Sequence, residues 1–217
     1  MKIFPKFLLS KKGRQENAGR PRKSRGQSLV EFAISLPVLL LLFSGLVEFG
    51  FALNYYLSLL DATRETARYW SNSTPFNQDG SDNMSFYANA AAMTLANLDP
   101  LVSTPGYQGR RIILDPTTDD IIVTVYSRSE SSGVVMYPRS GAYHMYNKAD
   151  SMFDASVIAS RFQSGSPNAG ILVVEVDYNY RQVLALPWLA PFVPNPLLLR
   201  AYTIMPLSAA EPVEGTP

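Results

Sequence analysis

The sequence predicts an α+β protein: a long N-terminal transmembrane helix followed by an extracytoplasmic domain with an antiparallel sheet and one or two short helices. Three observations carry this expectation. Phe32 to Val47 runs sixteen residues without a charge, and the apolar character continues past Glu48 to Leu60. Further along, alternating apolar runs such as IIVTVYSR and ILVVEVDYNYRQV replace the helical pattern. Charge is unevenly divided as well: residues 1–26 hold nine basic side chains and one acid, a net of +8, whereas the other ten basic residues and seventeen acids give −7. Three parts follow: a basic cytoplasmic leader over 1–26, a transmembrane helix and helical extension over 27–70, and an extracytoplasmic α+β domain over 71–217.

The first element is the helix. Sixteen residues span about 24 Å of a bilayer core of about 30 Å, and Leu29 to Glu31 with Glu48 to Leu53 close the gap. A soluble core helix of this length needs a polar face, which Leu39 to Phe43 lacks. The positive-inside rule places the basic arm in the cytoplasm and the acidic remainder outside. A cleaved secretory signal would be shorter and end at small residues. Here the segment leads into Phe49, Phe51, Tyr55 and Tyr56, which with Asn54 fit an aromatic belt at the outer interface. Pro37 removes one helical hydrogen bond and favours a kink, which a membrane helix tolerates and can use in helix packing. Good helix formers continue to Trp70, with Arg64 and Arg68 on a solvated face.

Residues 71–83 read as a turn-rich loop and Phe86 to Leu98 as a helix. Strands are expected at Ile112 to Leu114, Ile121 to Arg128, Gly133 to Tyr137, Ile171 to Val183 and Leu197 to Ile204, with a turn at Asp115 to Asp120. A short helix is expected over Ser151 to Phe162, followed by a break at Gly165 to Asn168. In the fourth strand Glu175, Asp177 and Asn179 alternate with apolar residues, which argues a sheet solvated on one face. Val183 to Leu199 is apolar but carries Pro187, Pro191, Pro194 and Pro196, too many for a second span. Trp188, Leu189, Phe192 and Val193 are expected in a loop packed on the sheet, with contact to the outer leaflet or a partner as the other reading. Leu207 to Pro217 reads as a polar tail.

Glu31 and Glu48 are the anomalies, because a carboxylate near the bilayer centre costs about 2.5 to 3.5 kcal/mol. For Glu48, near the outer boundary, snorkelling to water and a helix-packing role stand side by side. Glu31 sits in Arg25-Gly26-Gln27-Ser28-Leu29-Val30-Glu31-Phe32, where a glycine ends a basic leader, a glutamate follows five residues later and an aromatic comes directly after it. This resembles a type IV prepilin processing site. The run RGQSLVEFAISLPVLLLLFSGLVEFG, followed by DATRETARYW, is similar to the TadE-like family of pilus-assembly pseudopilins. The resemblance implies a pilin-like fold and a minor subunit of a tight-adherence (Tad) pilus or secretion system. It implies cleavage by a prepilin peptidase between Gly26 and Gln27, with Glu31 as recognition and assembly carboxylate and Phe32 in the adjoining aromatic position. The new amine at Gln27 would lie four residues before Glu31, within reach on a helix. Implied partners are the membrane, the peptidase, other pilin-like subunits and the Tad assembly machinery.

Other chemistry finds little footing. With no cysteine, thiolate metal sites, disulfides and cysteine nucleophiles are excluded. His144, the single histidine, has no G-x-S-x-G elbow beside it, and no phosphate-binding glycine loop occurs. Asn77, Asp79 and Asp82, and again Asp115, Asp119 and Asp120, invite calcium but lack the twelve-residue loop pattern, so both read as solvated loops. Glu175 and Asp177 share a strand face as a wet surface rather than a catalytic pair. The expectation is no enzyme, no cofactor, no nucleic acid and no small-molecule substrate. The alternative function is an uncleaved, single-pass signal-anchored envelope protein with a binding ectodomain.

Overall fold

The computed structural model describes residues 25–129, 133–161 and 168–212. Most of the expected leader, residues 1–24, lies outside the described residues, as do 165–167 of the expected break and 213–217 of the expected tail. The chain divides into two compact units between Leu42 and Phe43. In the first, the described residues belong to helix α1, Arg25–Trp70, which carries on into the second. Leu29, Ile34, Leu39 and Leu42 are all exposed, so among the described residues nothing covers them. α1 is long and apolar enough to cross a membrane. A core helix of a soluble domain would bury these residues, and their exposure supports membrane anchoring instead.

The second unit holds the rest of α1 and an antiparallel sheet. α2 spans Met84–Leu98 and starts where the Asn83 side chain accepts from the Ser85 N–H. Strands β1 (Asp120–Ser129), β2 (Gly133–Tyr137), β3 (Tyr143–His144), β4 (Ala169–Tyr180) and β5 (Leu197–Pro206) surround the short helix α3 (Ala155–Ser160) in chain order. The sheet order is β2-β1-β4-β5, and β3 also pairs with β1.

Period-2 alternation sorts the strands into two faces. Ile121, Val123 and Val125 of β1 and Leu172, Val174 and Val176 of β4 join Leu59, Ala62 and Ala67 of α1 in the main core. The fully buried Ala90 and Ala91 let α2 approach closely, and Thr94 Oγ1 donates to Thr66 Oγ1 of α1 at 3.0 Å. Thr63 of α1 meets Thr203 of β5 hydroxyl to hydroxyl at 2.9 Å. The opposite face packs Tyr126 and Val173 under Phe153 and Ile158 of the α3 segment.

Several expectations are corrected. Ile112 to Leu114 is not a strand: the Ile112 N–H bonds the Leu98 carbonyl at 2.8 Å, tying this segment to the end of α2. Ile112 and Leu114 are buried while Ile113 is exposed, so the alternation arises without a ladder. The expected helix over Ser151 to Phe162 shortens to Ala155–Ser160, capped by the Asp154 carboxylate on the Val157 N–H. Glu175 and Asp177 are not on a wet face; they are 1% and 2% exposed, because residues 143–161 cover that side. The tail begins later than expected, since Leu207 and Ala210 are buried and Ser208–Ala210 forms a 3-10 turn. That turn closes on β4, where a Cβ at Gly170 would collide with the Leu207 carbonyl oxygen. Tyr55 and Tyr56 are drawn into the domain, with Tyr55 stacked on Tyr178 and edge-on to Tyr180, whereas Phe49 and Phe51 stay exposed.

Candidate functional site: carboxylates along the apolar helix

Gly26 stands in the first turn of α1, with open space where a Cβ would project. Gln27, Glu31 and Phe32 are exposed. Gln27 Nε2 donates to Glu31 Oε1 at 3.4 Å, so positions 27 and 31 face the same side one turn apart. The Ser35 hydroxyl donates to the Glu31 carbonyl at 2.8 Å. Pro37 lies within the helix and exposed; lacking an N–H, it leaves the Ala33 carbonyl without its helical donor.

At the other end of the apolar run Glu48 is only 3% exposed. Its Oε1 accepts from the Tyr180 hydroxyl at 2.5 Å and the Val183 N–H at 2.9 Å, and its Oε2 accepts from the Leu184 N–H at 2.9 Å. One helix turn earlier, the indole N–H of Trp188 donates to Ser44 Oγ at 3.1 Å. Leu189 is buried and lies against Gly45. The loop after β4 is therefore seated on α1, not on the sheet as expected, and Glu48 finds its partners in its own chain. Glu48 was legible as an anomaly; its partners lie 132 to 136 residues further along, and only the prolines and aromatics of that loop hinted at a structured segment.

Four more carboxylates are built into the domain. Asp120 accepts from the N–H groups of Tyr146 and Lys148 at 2.9 Å each, from Ala149 at 3.3 Å and from Ile121 at 2.9 Å, and lies 3.1 Å from His144 Nδ1. Burial pushes its pKa up, but these donors outweigh burial and leave it lowered. Glu175 accepts from the Ser151 hydroxyl at 2.5 Å and the Met152 N–H at 2.8 Å, yet burial leaves its pKa raised. Asp177 faces Asp120 across the β1–β4 ladder and has Arg200 Nε at 3.2 Å. Burial pushes Asp177 up to about 6; Arg200 draws it back, and the charges of Asp120 and Asp119 add to the rise. Asp119 in turn accepts from the Asn179 N–H at 2.9 Å. Asp120, Glu175 and Asp119 each tie a loop to a strand, Asp177 pairs β4 with β5 through Arg200, and His144 lies beside Asp120. Among the described residues no group of three or more metal-ligating side chains converges.

Among the described residues one helix, α1, is long and apolar enough to cross a membrane, and its second part is built into an α+β domain. Residues 26–68 match the family model described as TadE-like protein. The match starts at Gly26 and stays inside α1, taking in Glu31, Pro37 and Glu48. That family is associated with the Tad pilus and is generally structural rather than enzymatic. No curated protein and no solved structure matches the chain.

Proposed function

We propose that this chain is a minor pilin or pseudopilin subunit that assists assembly of a Tad adhesion pilus or secretion system. One observation carries the reading: the TadE-like match opens on Gly26, five residues before an exposed Glu31 in the part of the helix whose large apolar side chains are exposed. In this reading the N-terminus is cytoplasmic, the α+β domain lies outside, and a prepilin peptidase cuts between Gly26 and Gln27. Cleavage requires the first turn of α1 to open, and Gly26, a poor helix former, lowers that cost by about 1 kcal/mol relative to alanine.

The freed amine at Gln27 then supplies a positive charge one turn from Glu31. The carboxylate of one subunit can meet the amine of the next, which offsets part of the cost of holding either in lipid. Phe32 and the neighbouring apolar side chains provide the helix-packing surface, and Pro37 shapes it. A photo-crosslinking side chain at Phe32, activated in native cells, should capture another pilin-like subunit. Glu31→Gln should reduce that product by about tenfold, the equivalent of one charge-assisted contact of about 1.4 kcal/mol. Equal crosslinking with and without the Glu31 charge would remove its assembly role.

A further inference from the structure

The loop between β4 and β5 has features that neither the helix anchor nor the pilus reading uses. From Gln182 through the loop to Leu199 in β5 there is no charged residue, and Arg181 and Arg200 flank this stretch. Its backbone bonds within itself: the Leu189 N–H to the Leu186 carbonyl at 2.9 Å, and the Phe192 and Val193 N–H groups to the Leu189 carbonyl at 2.9 and 3.0 Å. The Gln182 side chain satisfies the Val193 carbonyl at 3.1 Å. Pro187, Pro191, Pro194 and Pro196 carry no N–H at all. Pairing of backbone groups lowers the cost of placing them in the water-poor interface, the depth to which a lipid-exposed irregular segment is confined.

The same loop consumes polar groups on the adjoining turns of α1, through Trp188 on Ser44 and the Val183 and Leu184 N–H groups on Glu48. What remains outside is apolar. Trp188 is 47% exposed and Phe192 69%, and on α1 Phe43, Leu46 and Phe49 are each more than 60% exposed. A span of about 20 residues beginning at Leu29 ends at Glu48, so the loop is tied to the last turns of the membrane segment. We infer that residues 183–193 form a second membrane contact, with Trp188 and Phe192 seated in the lipid interface beside the point where α1 leaves the bilayer. The occupant of this apolar face is lipid because Trp188 and Leu189 are held against Ser44 and Gly45, inside the span itself. An amphipathic indole suits that depth. The inference needs the membrane span but not the pilus reading.

The test uses the full-length chain in vesicles of phosphatidylethanolamine and phosphatidylglycerol, with and without bromine atoms on the acyl chains. The protein has two tryptophans, Trp70 and Trp188, so subtracting the emission of W188F isolates Trp188 without disturbing the core. Brominated lipid should lower this emission roughly twofold or more, and aqueous acrylamide should quench it only weakly. Phe192→Trp in the W188F background should behave alike and gives an independent second position. Failure of brominated lipid to quench either position overturns the inference. Ready quenching by acrylamide would then place the loop in water, and acrylamide access that appears only on diluting the protein in lipid would assign the face to a second copy.

Discussion

A carboxylate in an apolar helix is tolerable only where its oxygens are satisfied, and Glu48 meets that condition with three donors from one strand end and the turn after it. Glu48→Ala would leave two backbone N–H groups and the Tyr180 hydroxyl without an acceptor, at a cost of about 2 to 4 kcal/mol. The expected outcome is a lower thermal midpoint in detergent micelles, with early proteolysis after Arg181 as the loop comes free. Glu48→Gln keeps one acceptor oxygen and should lose less. An unchanged midpoint for both variants would mean that the loop holds to α1 through Leu189 and Trp188 alone. The residue scale was half legible: a glutamate inside an apolar run stands out in one dimension, but which distant N–H groups it accepts from depends on where β4 ends. Glu31 was legible for the opposite reason, because its neighbours Gln27 and Ser35 lie one helical turn away.

Among the elements, β4 shows most clearly what a pattern can convey. Its alternation marked a strand, and the observed Ala169–Tyr180 lies close to the expected Ile171 to Val183. The same alternation misled about solvent, since a polar residue every second position looks alike whether water or hydrogen-bonded loops cover it. Ile112 to Leu114 failed similarly, because three alternating residues fit an extended segment as well as a ladder. The buried acids on the covered face have a measurable consequence. Asp177, held up to about 6, is neutral in the folded protein at pH values where the unfolded carboxyl, near 3.9, is ionised. Its contribution is therefore fully present below about 4 and lost as pH rises through about 6, and Glu175, also raised, has the same sign. Asp120, lowered by its donors, has the opposite sign and loses its contribution as pH falls below the usual carboxylate range. The thermal midpoint should rise on acidification from pH 7 toward about 4.5 and fall below that. Asp177→Asn should raise the midpoint at pH 7 and flatten the rise, removing a pH-dependent contribution of roughly 2 to 3 kcal/mol. A variant with the same pH profile as the parent chain would contradict this reading of the sheet.

For the whole molecule, the long helix with its apolar first part and the α+β layout that follows were legible because length, charge division and period are properties of the chain itself. The sheet order β2-β1-β4-β5 was not, because a strand's partners depend on connections that no local pattern specifies. The TadE-like match stays within the helix, and most of the residues that pack the core of the domain lie outside it. Processing of this helix as a pilin-type segment is read out by the amino-terminal sequence and intact mass of the protein recovered from its native membrane. The expected product begins at Gln27 and is lost on Gly26→Val. A chain that keeps residues 1–26 in cells with an active prepilin peptidase would contradict such processing and leave an uncleaved anchor.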